Sequence, residues 1–229
     1  MRTETRDCDG VDLAVAVWES AAPRHPPVVL LPGTGLTASD WDVVAADLAR
    51  DRTVYAVDLR GHGASAWPGT YSIGLMAHDV LALLPQLVGD AGHADLVGHS
   101  LGGLVACRVA AASPLVRRLV LEDVGLPRPR RENTPNRPRG ELAFDWAVVE
   151  QVRPEIDTPA ADWPDVLRAI TAPVLAIGGG PASFVPQDTL ASLVDMVREG
   201  TLVTIAAGHE VHTREPTAYV AAVRSHLDA

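Results

Sequence analysis

The stretch Asp95-Leu96-Val97-Gly98-His99-Ser100-Leu101-Gly102-Gly103 carries the pattern G-x-S-x-G between an apolar run and a helical pattern. A serine on a sharp turn from a strand into a helix has a strained backbone, and side chains two positions before and after it would clash. Gly98 and Gly102 remove those side chains. The pattern therefore predicts that Ser100 is raised above the end of a strand, where the first N–H groups of the helix face developing negative charge.

Short apolar runs alternate with longer amphipathic runs on both sides of this stretch. Such alternation is typical of a mostly parallel sheet with helices on both faces. We predict about eight strands: an antiparallel hairpin around Asp9-Gly10 at the start, and then strands at 28–31, 54–57, 95–98, 119–121, 174–177 and 202–205. Helices are predicted at 39–49 with Ser39 as its cap, 73–87, 101–112, 187–198 and 216–227.

Residues 125–172 interrupt this alternation. The segment contains seven prolines, two short helical patterns at 142–152 and 164–170, and five arginines in one loop, namely Arg128, Arg130, Arg131, Arg137 and Arg139. We expect an insertion over the carboxyl edge of the sheet, within a single domain that spans 1–229. The arginines could recognise an anionic substrate, but a solvated face or pairing with acidic residues is favoured.

The composition excludes several kinds of chemistry. All 19 basic residues are arginine, so there is no lysine for a Schiff base or for a phosphate-binding loop. A net charge of −10 disfavours nucleic acids and anionic membranes as partners, and a small-molecule substrate fits better. The sequence leaves the oligomeric state open.

The two cysteines bear on the cellular location. Cys8 and Cys107 form no CxxC motif, and the amino terminus lacks an apolar signal core. We therefore expect reduced thiols and a cytoplasmic protein.

Four motifs in order resemble the α/β-hydrolase fold superfamily. Besides 98–103, these are Leu-Leu-Pro-Gly-Thr-Gly at 30–35, Asp-Leu-Arg-Gly-His-Gly-Ala-Ser at 58–65, and Gly208-His209. The resemblance covers nearly the whole chain. It implies a mostly parallel eight-stranded sheet with helices on both faces, a short cap at 125–172, no cofactor, and a catalytic triad in the order serine, acid, histidine.

The histidine of that triad must come late in the chain. His209 matches the family's G-H position, and Glu215-Pro216 follows where the family often has E-x-P. His212 is a rival, whereas His99 and His62 fit packing roles better. A metal site is not expected, because the HExxH spacing is absent.

The acid departs from the family's common pattern. Its usual turn follows the strand at 174–177, but 178–186 contain no carboxylate and Ala182 stands at the expected position. Some members carry the acid one strand earlier, where this chain has Glu122-Asp123. Neighbouring strand residues point in opposite directions, so only one of the two can reach the histidine. We favour Asp123 and keep Glu122 as the alternative; Asp188 is a weaker candidate, and a structural role for the pair stays open.

The same resemblance implies an oxyanion hole and an activity. Its donors would be the backbone N–H groups of Thr34 and Leu101, with Gly33 and Gly35 giving close backbone approach. We expect a serine hydrolase that cleaves a small-molecule carboxylic ester, thioester or lactone through an acyl-enzyme on Ser100. A weakly catalytic or non-catalytic ligand-binding protein, or a cofactor-free lyase or haloperoxidase, is the alternative. The expected pocket walls are Phe144, Trp146, Val149 and Trp163.

Overall fold

The computed structural model describes residues 1–133 and 135–229, and these contain one eight-stranded sheet. The strands are β1 (Arg2–Cys8), β2 (Val11–Trp18), β3 (Val28–Leu31), β4 (Val54–Val57), β5 (Ala94–His99), β6 (Val116–Glu122), β7 (Val174–Gly178) and β8 (Gly200–Thr204). Their order across the sheet is β1-β2-β4-β3-β5-β6-β7-β8. Strand β2 is antiparallel to β1 and β4, and the other pairs are parallel. The predicted fold class is confirmed.

The opening hairpin forms where the sequence predicts it. Asp9 and Gly10 both have positive φ, 55° and 87°, as a two-residue type I′ turn requires. The pairing of β1 with β2 runs from Arg2 opposite Val17 to Cys8 opposite Val11.

The helices are α1 (Asp42–Leu48), α2 (Ile73–Leu87), α3 (Leu101–Ala112), α4 (Ala147–Asp157), α5 (Trp163–Ala169), α6 (Gln187–Val194), α7 (Val211–Arg214) and α8 (Pro216–Leu227). The predicted bounds of α2, α3 and α8 are confirmed. The Oγ of Ser72 caps α2 by accepting the N–H of Leu75 at 2.9 Å.

Other helix predictions were wrong in detail. Ser39 is not a cap: a 3₁₀ turn, Ala38–Trp41, precedes α1, and the Asp40 carboxylate accepts the N–H of Thr37 at 2.7 Å. Helix α4 begins later than predicted, because the Asp145 carboxylate accepts the N–H of Ala147 at 3.0 Å and starts the helix there. Helix α6 ends at Val194 instead of 198, and α7 was not predicted.

The inner strands of the sheet are buried on both faces, as continuous apolar strands require, whereas the edge strands β1 and β8 are largely exposed. Alternate residues face two separate cores: Leu96 packs with the residues of α2 and α3, whereas Val97 packs with those of α1 and α8. Both cysteines lie in the first core, and burial raises the pKa of each thiol to about 12.

An ionic cluster lies at the amino edge of the sheet. The fully buried Arg52 contacts Asp95 at 3.2 Å and also pairs with Asp228, beyond α8. Arg117 contacts the same Asp95 at 2.7 Å. The cluster therefore ties the start of β5 and β6 to the end of the last helix.

None of the helices in the described residues is both long enough and apolar enough to cross a membrane.

Candidate active site

Ser100 occupies the turn between β5 and α3 with φ 50° and ψ −115°. A non-glycine residue in such a region costs on the order of 1–3 kcal/mol. The flanking glycines make the turn possible: a Cβ on Gly98 would lie 2.5 Å from the carbonyl oxygen of Gly102, and one on Gly102 would lie 2.4 Å from that of Leu31. Glycine is therefore required at both positions because neighbouring backbone lies too close for a side chain, as the sequence predicts.

Gly102→Ala is expected to lower the free energy of unfolding by about 1–3 kcal/mol, because the new methyl group meets backbone that cannot easily move. Gly74→Ala, in the first turn of α2, is the matched control. A Cβ there meets only the Oγ of Ser72, at 3.7 Å, so this change should stabilise by about 0.5–1 kcal/mol. Urea unfolding of both variants checks the prediction, and equal effects of the two would contradict it.

His209 and Asp123 lie in contact. The Nδ1 of His209 is 2.7 Å from the Oδ2 of Asp123. Because an ionised carboxylate only accepts hydrogen bonds, Nδ1 carries the proton and Nε2 is left as the acceptor of the ring. Burial opposes ionisation of Asp123, but hydrogen bonds from His209, Ser183 and Gly179 outweigh it and lower the pKa of its carboxyl.

The loop after β7 supplies donors to this acid instead of an acid of its own. The N–H of Gly179 lies 3.0 Å from the Asp123 carboxylate, the Nε2 of Gln187 lies 3.2 Å from it, and the Ser183 hydroxyl donates to it as well. A Cβ on Gly179 would lie 1.9 Å from the carbonyl oxygen of Gly208. These residues were not predicted from the sequence, although polar side chains in a turn without a carboxylate were a usable signal.

Glu122 and Asp123 point to opposite sides of the chain, as period-two alternation predicts. Glu122 contacts His212 instead of His209: its Oε1 lies 2.8 Å from the Nδ1 of His212 and 2.9 Å from the backbone nitrogen. Both side chains are buried. Two carboxylate–histidine contacts therefore lie at the end of β6, and of these two the contact of Asp123 with His209 borders a cavity.

A cavity of about 650 Å³ is bordered by Ser100, His209, Asp123, Thr34 and Leu101. The N–H groups of Thr34 and Leu101 donate no hydrogen bond to any described residue, so both can serve a ligand. The described residues include no hydrogen bond between Ser100 and His209. Apo active sites often tighten such contacts only when substrate binds.

Two glycines shape the loop after β3. A Cβ on Gly33 would lie 2.8 Å from the Nδ1 of His99. Gly35 has φ 79°, and a Cβ there would lie 3.0 Å from the ring of Phe144. Their small size lets this loop pack against β5 and the insertion.

The remaining cavity wall is largely apolar. One face of α4 supplies several of its residues, namely Val148, Val149, Val152 and Ile156. Of the four walls expected from the sequence, Val149 borders the cavity. The expectation was wrong for the other three: Phe144 stacks on His62, Trp146 lies next to Phe144 ahead of α4, and Trp163 is buried beneath the guanidinium of Arg108. The later start of α4 explains the difference for Phe144 and Trp146, whereas Trp163 belongs to α5.

Phe184 is an aromatic wall that sequence reasoning missed. Its ring is 72% exposed and lies 4.1 Å from the imidazole of His209, centroid to centroid. It borders the same cavity.

Three arginines of the insertion border the cavity and pair with acids. Arg128 contacts Asp188 at 2.9 Å, which accounts for that third candidate acid. Arg130 contacts the buried Asp157 at 2.6 Å, and Arg153 of α4 contacts the same carboxylate at 3.0 Å. The other three arginines of the loop are exposed, namely Arg131, Arg137 and Arg139.

Comparisons with known proteins agree with this geometry. A family model described as the alpha/beta hydrolase family matches residues 28–223. An esterase of Mycobacterium tuberculosis is 30% identical over 260 aligned positions, which cover 92% of this chain and 85% of that protein. A pimeloyl-[acyl-carrier protein] methyl ester esterase of Pectobacterium carotovorum is 37% identical over 102 positions, which cover 44% of this chain and 38% of the esterase.

Solved structures give the same fold. A hydrolase from Pseudomonas aeruginosa superposes with a TM-score of 0.82 at 25% identity, covering 99% of this chain and 98% of that one. The enol-lactonase from Burkholderia xenovorans superposes with a TM-score of 0.81 at 20% identity, covering 99% of this chain and 100% of the lactonase.

The chain belongs to the alpha/beta hydrolase family. Within that family it is an esterase-like hydrolase.

Proposed function

We propose that this protein is a serine hydrolase that cleaves a small-molecule carboxylic ester, thioester or lactone through an acyl-enzyme on Ser100. The observation that carries the proposal is the Asp123–His209 contact of 2.7 Å beside the cavity that Ser100 enters on its strained turn. A serine needs a neighbouring base to become a nucleophile, and a base oriented by a carboxylate meets that need.

The first half of the reaction forms the acyl-enzyme. The Nε2 of His209 takes the proton of the Ser100 hydroxyl as Oγ bonds to the carbonyl carbon. The carbonyl oxygen becomes an oxyanion, which the N–H groups of Thr34 and Leu101 stabilise. The carbon–oxygen or carbon–sulfur bond to the leaving group then breaks, and His209 returns the proton to that group.

Water completes the reaction. His209 takes a proton from water as the water oxygen bonds to the acyl carbon, and the second tetrahedral species expels Ser100, which recovers its proton from His209. Asp123 stays ionised throughout and holds the imidazole in the Nδ1–H tautomer. The scheme uses groups of the chain and one water molecule, and it calls for no cofactor.

Residues 125–172 would act as a short cap within the single domain 1–229. The apolar face of α4 suits an acyl chain or an apolar alcohol group, because burial of apolar surface contributes about 25 cal/mol per Å². The similarity to a methyl ester esterase and to an enol-lactonase supports an ester or a lactone as the substrate class.

A fluorophosphonate probe tests the proposal, because it reacts with activated serines. We expect the intact mass to rise by one phosphonyl group per chain and peptide mapping to place that group on Ser100. A panel of acyl esters, thioesters and lactones then defines the substrate. A folded protein that takes no label, or takes it elsewhere, would overturn the proposal.

The lack of a carboxylate at Ala182 would favour a non-catalytic binding protein. The contact of Asp123 with His209 from the neighbouring strand favours catalysis instead. A lyase or haloperoxidase would use the same groups, and analysis of the reaction products separates those activities from ester hydrolysis.

A further inference from the structure

Glu122 and His212 form a second carboxylate–histidine contact, one residue before Asp123 and three residues after His209. Glu122 is fully buried and His212 is 1% exposed. Glu122 accepts the backbone N–H of His212 at 2.9 Å and contacts its Nδ1 at 2.8 and 2.9 Å through its two oxygens. One buried carboxylate thus holds both the backbone and the ring of a residue three positions after His209.

His99 links this pair to the nucleophile turn. It precedes Ser100 and lies opposite Glu122 in the parallel register of β5 and β6. Its Nε2 lies 2.9 Å from the carbonyl oxygen of His209. Because a carbonyl oxygen only accepts, Nε2 carries the proton, and burial lowers the pKa of His99, which keeps its ring neutral.

The segment from His209 to His212 is therefore held at three points, beyond the N–H groups of Ala207 and Gly208 that the carbonyl oxygen of Gly179 accepts just before it. Asp123 fixes the ring, His99 fixes the carbonyl oxygen, and Glu122 fixes the turn that begins α7. The segment has little other regular structure, since Gly208 has φ 83° and α7 is a single turn. Without the Glu122 contacts, the backbone on the carboxyl side of His209 would lose its main polar anchor.

The surroundings of Glu122 favour its carboxylate form. Burial opposes ionisation of Glu122, but the hydrogen bonds from the ring and the backbone N–H of His212 lower the pKa of the carboxyl. The His212 ring also stacks on Trp41, with centroids 4.3 Å apart. The stacking fixes the ring plane, so that Nδ1 stays directed at Glu122.

We propose that Glu122 and His212 are positioning residues for His209: they fix the backbone of the segment that carries the base, without touching the substrate. The inference rests on the proposed acyl transfer at Ser100. A role in core packing alone would affect stability but not the turnover of the folded molecules.

Three variants test this, with p-nitrophenyl butyrate as the substrate and fluorophosphonate titration to count active molecules. His212→Leu removes the ring contacts with Glu122 and leaves the contact of the backbone N–H at position 212. It is expected to lower kcat about 10- to 100-fold, with KM changed less than about threefold, since small displacements of a catalytic group cost rates of this size. His212→Asn places an amide N–H where Nδ1–H was, and it should restore kcat to within about threefold of wild type.

Glu122→Gln is the second route if His212→Leu does not fold, because it keeps the shape and one acceptor oxygen. It should lower kcat about 10-fold. If a folded His212→Leu or Glu122→Gln variant keeps the wild-type kcat per active site, the inference is wrong. A wild-type protein that is itself inert would instead refute the proposed function, so the two failures are distinguishable.

Discussion

Ser100→Ala is expected to lower kcat for a p-nitrophenyl ester by about 10⁴- to 10⁶-fold, because the acyl-enzyme can no longer form. The residual rate would come from the N–H groups of Thr34 and Leu101 and from binding in the cavity. The loss of the hydroxyl should not unfold the protein. Alanine keeps a Cβ at the same position, so the backbone at φ 50° is strained in both proteins.

Ser113→Ala is the control for this experiment. Ser113 lies at the other end of α3, where its Oγ accepts the N–H of Leu115 at 3.2 Å. Its removal should leave kcat within about twofold of wild type. If Ser100→Ala, freed of contaminating esterases, hydrolyses the ester at a rate comparable to that of wild type, another group is the nucleophile.

Asp123→Asn should lower kcat by about 10³- to 10⁴-fold, with a smaller effect on KM. An asparagine can offer its N–H to Nδ1 of His209, which favours the tautomer that carries its proton on Nε2 and cannot accept the serine proton. It also removes the negative charge that stabilises the imidazolium. Stopped-flow measurements give the rate of acylation, and steady-state hydrolysis gives kcat and KM.

Asp165→Asn, on the exposed face of α5, is the control and should leave kcat unchanged. The decisive comparison is with Glu122→Gln, for which a loss of only about 10-fold is expected. If Asp123→Asn is active and Glu122→Gln loses about 10³-fold or more, the acid has been assigned to the wrong carboxylate.

The sequence predicted the sheet well because the inner strands are buried on both faces and the turns demand particular residues. The run 94–99 followed by glycine-flanked Ser100 has one steric solution, and so does Asp9-Gly10 at the hairpin. The sequence could also restrict the candidate acid to Glu122 or Asp123, since both lie at the end of the same predicted strand. It could not show that each carboxylate has its own histidine, because that depends on how the segment after β8 folds back.

The cavity walls were harder to predict for a similar reason. The aromatic residues before α4 looked like pocket walls, but that helix begins at Ala147, whose N–H donates to the Asp145 carboxylate. A shift of a few residues changes which side chains face the cavity. Phe184 could not be recognised because its position depends on the irregular loop that surrounds Asp123.

The ionic cluster of Arg52, Asp95 and Arg117 has a practical consequence for handling the protein. Asp95 and Ser100 lie near opposite ends of β5, about 17 Å apart along an extended strand. A surface, a tag or a fused protein attached beside that cluster would therefore leave the cavity mouth turned toward the solution. Immobilisation through this end of the molecule should give an oriented biocatalyst whose substrates diffuse in freely.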